Sequence, residues 1–287
     1  MQKPEIRKTI RKTNNERIKP ETGKITKLND LQPLCPGWDN PYGINNDITK
    51  NSIHIADGRG DCKRDCVKGG IVVMKKIFLD LEMNGVNRQY KEVRRMCSSE
   101  VIEFGAVKLD ENNVEIGRFQ SYVRPVYNEG IESKITRLTG ITTKQVQNAD
   151  DFLEVFLQFL CWCGEDYEIF SWSENDEIQL RKEYNLKAGD ELPEITYMFS
   201  NWNDLQEAYG DMFEFVRPTA LSMAVNTAGI EFRGRMHNAL DDAAATADLY
   251  REMIGGTTIN RIKEDLHEAK KPIGISLGDL FTGLQIA

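Results

Sequence analysis

Three segments with β-strand patterning follow one another in this chain, and they constrain the fold more than any other feature. They span residues 75–83, 101–110 and 115–125, and the polar stretch 110–113 supplies a turn between the second and the third. Short apolar runs bounded by such turn residues are typical of strands that pair with their neighbours along the chain. The sequence therefore predicts an antiparallel meander of three strands.

Helical and strand patterns alternate after the meander. Apolar residues recur at helical spacing in 149–164, where Asp150 is placed as an N-terminal cap. The predicted order is helix 149–164, strand 167–173, helix 175–186, strand 194–202 and helix 204–213, with the alternation continuing through 220–230 to a last helix at 237–254. Three strands followed by this alternation predict an α/β fold with helices on the faces of one sheet.

The 287 residues divide into three parts by composition. Residues 1–70 contain few apolar clusters and many Asn, Gly, Lys and Pro, so they are predicted to form an irregular N-terminal extension. Residues 71–255 carry the strand and helix patterns and are predicted to form the folded domain. Residues 256–287 are predicted to form a C-terminal tail, and the apolar residues of its last part, 272–287, show no clear periodicity.

The apolar residues of the chain are distributed as in a water-soluble protein. No run of about 18 apolar residues occurs, so no membrane span and no membrane partner are expected. The first 20 residues lack the apolar core of a secretory signal, and their acidic residues argue against a transit peptide. We therefore expect a cytoplasmic location.

Charge is distributed unevenly along the chain. The formal net charge is −8, of which residues 1–70 contribute +5 and the remainder −13. An acidic body argues against binding of nucleic acid through bulk positive charge. It still permits binding through divalent cations, which invert the local electrostatics. The basic extension is the place where additional phosphate contacts are expected.

The first β segment carries two carboxylates at its end. Asp80 and Glu82 are two residues apart, so strand alternation places them on the same face. Two like charges that close repel each other, and burial strengthens the repulsion. A positively charged group is therefore expected between them, unless the pair lies on an exposed sheet edge.

Two later segments add further candidate residues. Asp176 follows a predicted strand at the opening of a helix, where a negative charge is favourable for the helix dipole alone. His237 and Asp242 lie five residues apart at the start of the last predicted helix. At that spacing they do not stack directly, but both can face a cleft. Taken singly, each of these residues also has an ordinary structural explanation.

Taken together, these segments resemble a known family. The segments "FLDLE", "SWSEND" and "HNALDD" are similar to the D-x-E, middle Asp and His-x4-Asp motifs of the DEDDh 3′-to-5′ exonucleases, the DnaQ-like or RNase T superfamily. The segments "VIEFGAVKLD", "YVRP" and "ITRLTGITTKQV" are similar to its second strand, the end of its third strand and its threonine-glycine-isoleucine segment. The resemblance covers about residues 75–253 and points to the ERI-1-like and KapD-like branch, whose members include enzymes that trim RNA 3′ ends.

The resemblance implies a fold, a reaction and a set of catalytic residues. It implies an RNase H-like mixed sheet flanked by helices, and a two-metal hydrolysis that releases nucleoside 5′-monophosphates from single-stranded RNA or DNA 3′ ends. The implied ligands of two Mg²⁺ or Mn²⁺ ions are Asp80, Glu82, Asp176 and Asp242. Carboxylate oxygens suit such hard cations, and the ion pair is then the positive charge expected beside Asp80 and Glu82.

The resemblance also assigns roles around these ligands. His237 is implied as the general base, a role suited to histidine because its side chain titrates near neutral pH. Asp241 is not expected to be a metal ligand: its side chain would either contact the ligands from outside the metal site or face solvent. Met83, Asn84 and Gly85 are implied to line the pocket of the terminal nucleotide, although Met83 departs from the small or hydroxylated residue common there in proofreading members.

Two other functions and one other site stay open at this point. A DNA-directed proofreading or repair exonuclease would carry the same motifs, since recognition of the 2′-hydroxyl depends on pocket geometry. A nucleic-acid-binding regulatory module on a nuclease scaffold would be expected to lack one of the five implied catalytic residues, and all five are present. A zinc site at Cys35, His54, Cys62 and Cys66 has only one familiar spacing, Cys62-x3-Cys66, and free thiols are the alternative.

Overall fold

A computed structural model describes residues 74–188, 192–215 and 217–269. The predicted N-terminal extension and the zinc candidate at Cys35, His54, Cys62 and Cys66 lie outside these residues. The structure describes residues 256–269 of the predicted C-terminal tail. The division of the chain at residues 70 and 255 stays a prediction.

The centre of the fold is one mixed five-stranded sheet in the order β3-β2-β1-β4-β5. Its strands are β1 Lys75–Gly85, β2 Ser99–Leu109, β3 Glu115–Tyr122, β4 Tyr167–Ser171 and β5 Trp202–Asp204. The first three pair antiparallel, whereas β4 runs parallel to β1 and β5 runs parallel to β4. The meander, the α/β class and the mixed sheet predicted from the sequence are confirmed.

Helices cover both faces of the sheet. They are α1 Lys91–Met96, α2 Ser133–Thr139, α3 Thr143–Val146, α4 Phe152–Cys163, α5 Glu174–Lys187, α6 Pro193–Ser200, α7 Leu205–Phe213, α8 Leu221–Thr227, α9 Ala239–Gly255 and α10 Thr257–Ala269. Helices α4, α5 and α6 pack on one face, and α7, α8 and α9 on the other. None of the helices in the described residues combines the length and the hydropathy that a membrane span requires.

Strand β1 divides its side chains between the two cores. Ile77, Leu79 and Leu81 are buried on the α4 face, and Phe78 is buried on the α9 face. Because side chains alternate along a strand, Asp80 and Glu82 share the α9 face with Phe78. The strand therefore presents its two carboxylates toward α9.

Three local predictions were wrong. Helix α4 is capped by Asp151, whose carboxylate accepts the backbone N–H of Glu154 in a capping box, and Asp150 lies one residue earlier. Residues 194–202 form mostly helix α6, because Pro193 at its first position has the φ angle of a helix and Ile195, Met198 and Phe199 are buried at helical spacing. The segment 220–230 contributes helix α8 and no strand.

Helix α9 lies against β1 and β2, and one glycine allows this close approach. A Cβ atom added at Gly105 of β2 would lie 2.1 Å from backbone atoms of Ala239 and Leu240 in the first turn of α9. In the register of the sheet, Gly105 is the partner of Asp80. The first turn of α9 therefore lies directly beside the carboxylate end of β1.

Gly105→Ala is expected to destabilise the domain, because the new methyl group would meet backbone that cannot rotate away. Overpacking of this kind costs about 3 kcal/mol, which lowers the melting temperature of a domain of this size by roughly 6–12 °C. Gly130→Ala is the matched control, since no atom lies within 4 Å of its added Cβ. Equal melting temperatures of the two variants would contradict the close packing of α9 on β2.

Candidate active site

The four carboxylates predicted from the sequence all line one cleft, which has a volume of about 330 Å³. Strand β1 contributes Asp80 and Glu82, and the register of β1 against β2 shifts directly after Glu82. Glu82 is buried and Asp80 is half-buried. The residues that line the cleft are Asp80, Leu81, Glu82, Trp172, Ser173, Asp176, Ala220, Leu221, Ser222, Phe232, Met236, His237 and Asp242.

Asp176 comes from the first turn of α5 and is buried. The N-cap of this helix is Ser173, whose hydroxyl accepts the backbone N–H of Asn175, so Asp176 is not the cap. Its carboxylate instead lines the cleft, where the nearby backbone N–H of Leu81 favours its charged form. Since Leu81 lies between Asp80 and Glu82, the third carboxylate lies beside the first two.

Asp242 and His237 approach the cleft from the start of α9. His237 precedes the helix, whose N-cap is Asn238, so the prediction that the helix begins at residue 237 was wrong by two residues. The backbone of His237 has a φ of +61°, in the left-handed region that few side-chain-bearing residues adopt. Its N–H donates to Oδ2 of Asp242 at 2.8 Å. This bond links the two residues and fixes the backbone that carries the imidazole.

Three of these side chains form a group that could hold a metal ion. Glu82, His237 and Asp242 each offer one ligand atom, and these atoms lie within 4.8 Å of one another. With Asp80 and Asp176 beside them in the cleft, the structure brings together all five residues that the resemblance implied as catalytic. They come from four separate elements: β1, α5, the loop before α9 and α9 itself.

Asp241 supports the loop that carries His237. Its Oδ2 accepts the backbone N–H of Arg235 at 2.8 Å. Gly234 has a φ of +96°, and a Cβ atom there would meet the Asp241 carboxylate. The guanidinium of Arg235 also donates to the carbonyl of Leu138 at the end of α2. The loop is therefore tied to both α9 and α2.

Burial, and then the charges of neighbouring acids, raise the pKa values of the four carboxyl groups in the cleft. Burial raises the pKa of Glu82 to about 8, and the neighbouring Asp242 and Glu103 add to the shift. Burial likewise raises the pKa of Asp176 to about 7 and that of Asp242 to about 6, although hydrogen bonds from backbone N–H groups oppose both shifts. For Asp80, burial and then the charge of Asp176 raise the pKa well above its usual range. A buried group of acids that repel one another suits divalent cations, which would offset the charge.

The metal-free protein is expected to lose stability as the pH rises from about 4, where free carboxyls titrate, to about 8, where Glu82 titrates. Because these native pKa values are raised, the folded protein holds protons that the unfolded chain has released. Each such proton lowers the free energy of unfolding by about 1.4 kcal/mol per pH unit. The melting temperature measured in EDTA should therefore fall as the pH rises, and it should fall more steeply for the parent than for Asp80→Asn. Parallel curves for the two proteins would contradict the crowding of the carboxylates.

The three residues that follow Glu82, which the resemblance implied for the terminal nucleotide, contact other parts of the fold. Asn84 is buried, its amide donates to the carbonyl of Gly130 at 3.1 Å, and its oxygen accepts the N–H of Glu132 at 3.0 Å. Met83 packs beside the core on the α4 face, and a Cβ at Gly85 would meet the Glu132 side chain. None of the three lines the cleft described above. Their role at the terminal nucleotide stays a prediction.

Two groups of residues near the cleft were not identified from the sequence. The apolar residues Trp172, Leu221, Phe232 and Met236 line the same cleft as the carboxylates, and they come from segments too far apart for this to be predicted. Glu103 of β2 lies opposite Glu82 in the sheet and is fully buried. The signal for Glu103 was available, because it is an acid whose neighbours Val101, Ile102 and Phe104 are apolar.

Comparison with known proteins gives matches to one family and to related enzymes. Residues 77–250 match the RNase T family, which is described as an exonuclease family. Human 3′-5′ exoribonuclease 1 is 30% identical over 177 residues, covering 58% of this chain and 50% of that protein. Human ERI1 exoribonuclease 2 is 30% identical over 210 residues, covering 64% of this chain and 30% of that protein. The chain thus spans half the length of the first relative and less of the second.

A solved structure is similar over the same region. It is the nuclease domain of 3′hExo, a DEDDh family member, bound to rAMP. The TM-score is 0.53 at 27% sequence identity, and the match covers 63% of this chain and 92% of that domain. The similarity therefore extends over nearly the whole of that nuclease domain.

Proposed function

Because the chain belongs to the RNase T exonuclease family, we propose that it is a metal-dependent 3′-to-5′ exonuclease that shortens single-stranded RNA. The observation that supports this best is the meeting of Asp80, Glu82, Asp176, His237 and Asp242 in one cleft. Fold similarity alone would not support a reaction, because one fold carries many activities. The full set of acids and the histidine at one site supports it directly.

RNA is proposed as the substrate on the basis of the relatives. The two human relatives are named as exoribonucleases, and the similar nuclease domain was solved with rAMP bound. Since the chain spans half or less of the length of these relatives, partners that depend on their other regions are not transferred. A cytoplasmic location stays a prediction from the sequence.

The proposed cofactor is a pair of Mg²⁺ or Mn²⁺ ions. Asp80, Glu82, Asp176 and Asp242 would hold them. The donor set fits, because it consists of crowded carboxylates whose pKa values are raised first by burial and then by the charges of neighbouring acids. When bound, such ions would stabilise the negative charge that develops on the phosphate during hydrolysis.

The protein's own residues supply proton transfer and orientation. In the proposed reaction water attacks the phosphorus of the terminal linkage, and the bond from phosphorus to the 3′ oxygen breaks. His237 takes a proton from the attacking water as general base. The hydrogen bond from its N–H to Asp242 holds the backbone of His237 at the edge of the cleft. The products are a nucleoside 5′-monophosphate and a strand shorter by one nucleotide with a free 3′-hydroxyl.

The experiment that tests this function compares single-stranded RNA and DNA of the same sequence. Each is incubated with the protein in Mg²⁺, in Mn²⁺ and in EDTA, and the products are sized. The proposal predicts mononucleotide release from RNA in either metal and none in EDTA. Faster release from DNA would support the proofreading alternative, and binding without cleavage would support a regulatory module.

A further inference from the structure

Glu103 is a buried carboxylate that the proposed reaction does not use. It lies in β2, directly opposite Glu82 in the register, and none of its surface is exposed. Residues opposite each other in an antiparallel pair project from the same face, so Glu103 faces α9 as Glu82 does. A buried carboxylate is tolerated only where hydrogen-bond donors satisfy it.

The donors to Glu103 come chiefly from the start of α9. Oε2 accepts the backbone N–H of Ala239 at 3.2 Å, and Oε1 accepts the side-chain amide of Asn238 at 3.4 Å. Asn238 is the N-cap of α9 and Ala239 is its first residue. A third group, Nε2 of Gln120 in the neighbouring strand β3, donates a hydrogen bond to Oε1 at 2.8 Å. Both carboxylate oxygens therefore already have donors.

The hydrogen bonds between Glu103 and the start of α9 join the two parts of the candidate active site, one on the sheet and one on α9. Asp80 and Glu82 belong to the sheet, whereas Asp242 lies in the first turn of α9 and His237 directly precedes it. Glu103 bonds to α9 between His237 and Asp242 in the chain. Gly105, two residues along β2, lets the helix backbone approach the strand closely.

We propose that Glu103 is a positioning residue, which fastens the start of α9 to β2 and so keeps Asp242 and His237 in register with Asp80 and Glu82. This inference rests on the proposed function. Glu103 is not a metal ligand in this proposal, because both of its oxygens accept hydrogen bonds from protein donors. Its loss would act through the placement of other residues, and displacements of about 1 Å at such sites can cost on the order of 10²-fold in rate.

The test is Glu103→Gln, which keeps the size of the side chain but replaces one acceptor oxygen by an amide that faces a donor. The matched control is Glu100→Gln. Glu100 is equally buried in β2, but it accepts the N–H groups of Val126 and Tyr127 and pairs with Lys187, none of which belongs to α9. Gln120→Ala is a milder variant that leaves the bonds from Glu103 to α9 in place.

Three measurements are made on the full chain: amide hydrogen exchange of residues 237–243, the Mn²⁺ dissociation constant, and kcat and KM on single-stranded RNA. For Glu103→Gln we expect faster exchange in this segment, about tenfold weaker Mn²⁺ binding, and a kcat lower by about tenfold to a hundredfold with little change in KM. For Gln120→Ala we expect the same changes at smaller size. For Glu100→Gln we expect none of them.

Unchanged exchange at 237–243, or faster exchange with normal kcat and normal Mn²⁺ affinity, would overturn the proposal. Equal effects in Glu100→Gln would also overturn it, since they would reflect general loss of stability. If Glu103→Gln does not fold, Gln120→Ala decides by the same criteria. If the parent cleaves neither RNA nor DNA, the proposed function fails, and exchange and Mn²⁺ affinity still decide whether Glu103 positions the site.

Discussion

Asp242→Asn is expected to lower kcat on single-stranded RNA by about 10³-fold or more, because the site loses a charge that the divalent ions require. The folded structure should be retained. The asparagine oxygen can still accept the N–H of His237, and removal of one buried like charge relieves repulsion among the remaining acids. The measurement is kcat at saturating Mn²⁺, with the melting temperature taken from the same preparation.

Asp248→Asn is the matched control for Asp242→Asn. It makes the same charge change in the same helix, but Asp248 pairs with Arg251 at the surface and does not line the active-site cleft. Its kcat should equal that of the parent. A folded Asp242→Asn variant that cleaves within about threefold of the parent would remove Asp242 from the proposed ligand set.

His237→Ala is expected to lower kcat by about 10²–10⁴-fold, the usual contribution of a general base. Mn²⁺ affinity decides between this role and a second one, because the imidazole lies close enough to Glu82 and Asp242 to be a metal ligand itself. If His237 is the base, the dissociation constant for Mn²⁺ should be nearly unchanged. If it is a ligand, Mn²⁺ binding should weaken together with kcat.

The control for this variant is His267→Ala, which changes an exposed histidine in α10. It should leave both kcat and Mn²⁺ affinity as in the parent. Normal kcat in His237→Ala at neutral pH would leave His237 with only a structural role at the start of α9.

The strands and their carboxylates could be predicted because they follow from local periodicity. Alternation along β1 places Asp80 and Glu82 on one face, and the meander is confirmed because the turn at 110–113 leaves β2 and β3 little choice of partner. The segment 194–202 was predicted as a strand as part of the strand–helix alternation, and its β-branched and aromatic residues are compatible with one. The competing signal was Pro193, which favours the first turn of a helix.

The details of the site depend on contacts that no local pattern encodes. The hydrogen bonds of buried Asn84 are made with residues more than 40 positions away. The register shift after Glu82 arises in the pairing of β1 with β2 and has no periodic signal in the sequence. The left-handed backbone of His237 is held by Asp242, so helical spacing gave the wrong start for α9. The hydrogen-bond partners of Glu103 at the start of α9 could not be predicted, because they lie about 135 residues away in the chain.

The proposed activity is the metal-dependent removal of nucleotides, one at a time, from RNA 3′ ends. It is tested most directly with one single-stranded RNA labelled in separate samples at its 5′ end and at its 3′ end, incubated with Mn²⁺ or EDTA. In Mn²⁺ we expect the 3′ label to appear at once as mononucleotide while the 5′ label passes through a ladder of shortening strands. In EDTA we expect no change. Early release of the 5′ label as mononucleotide, internal fragments, or equal cleavage in EDTA would contradict the proposed activity.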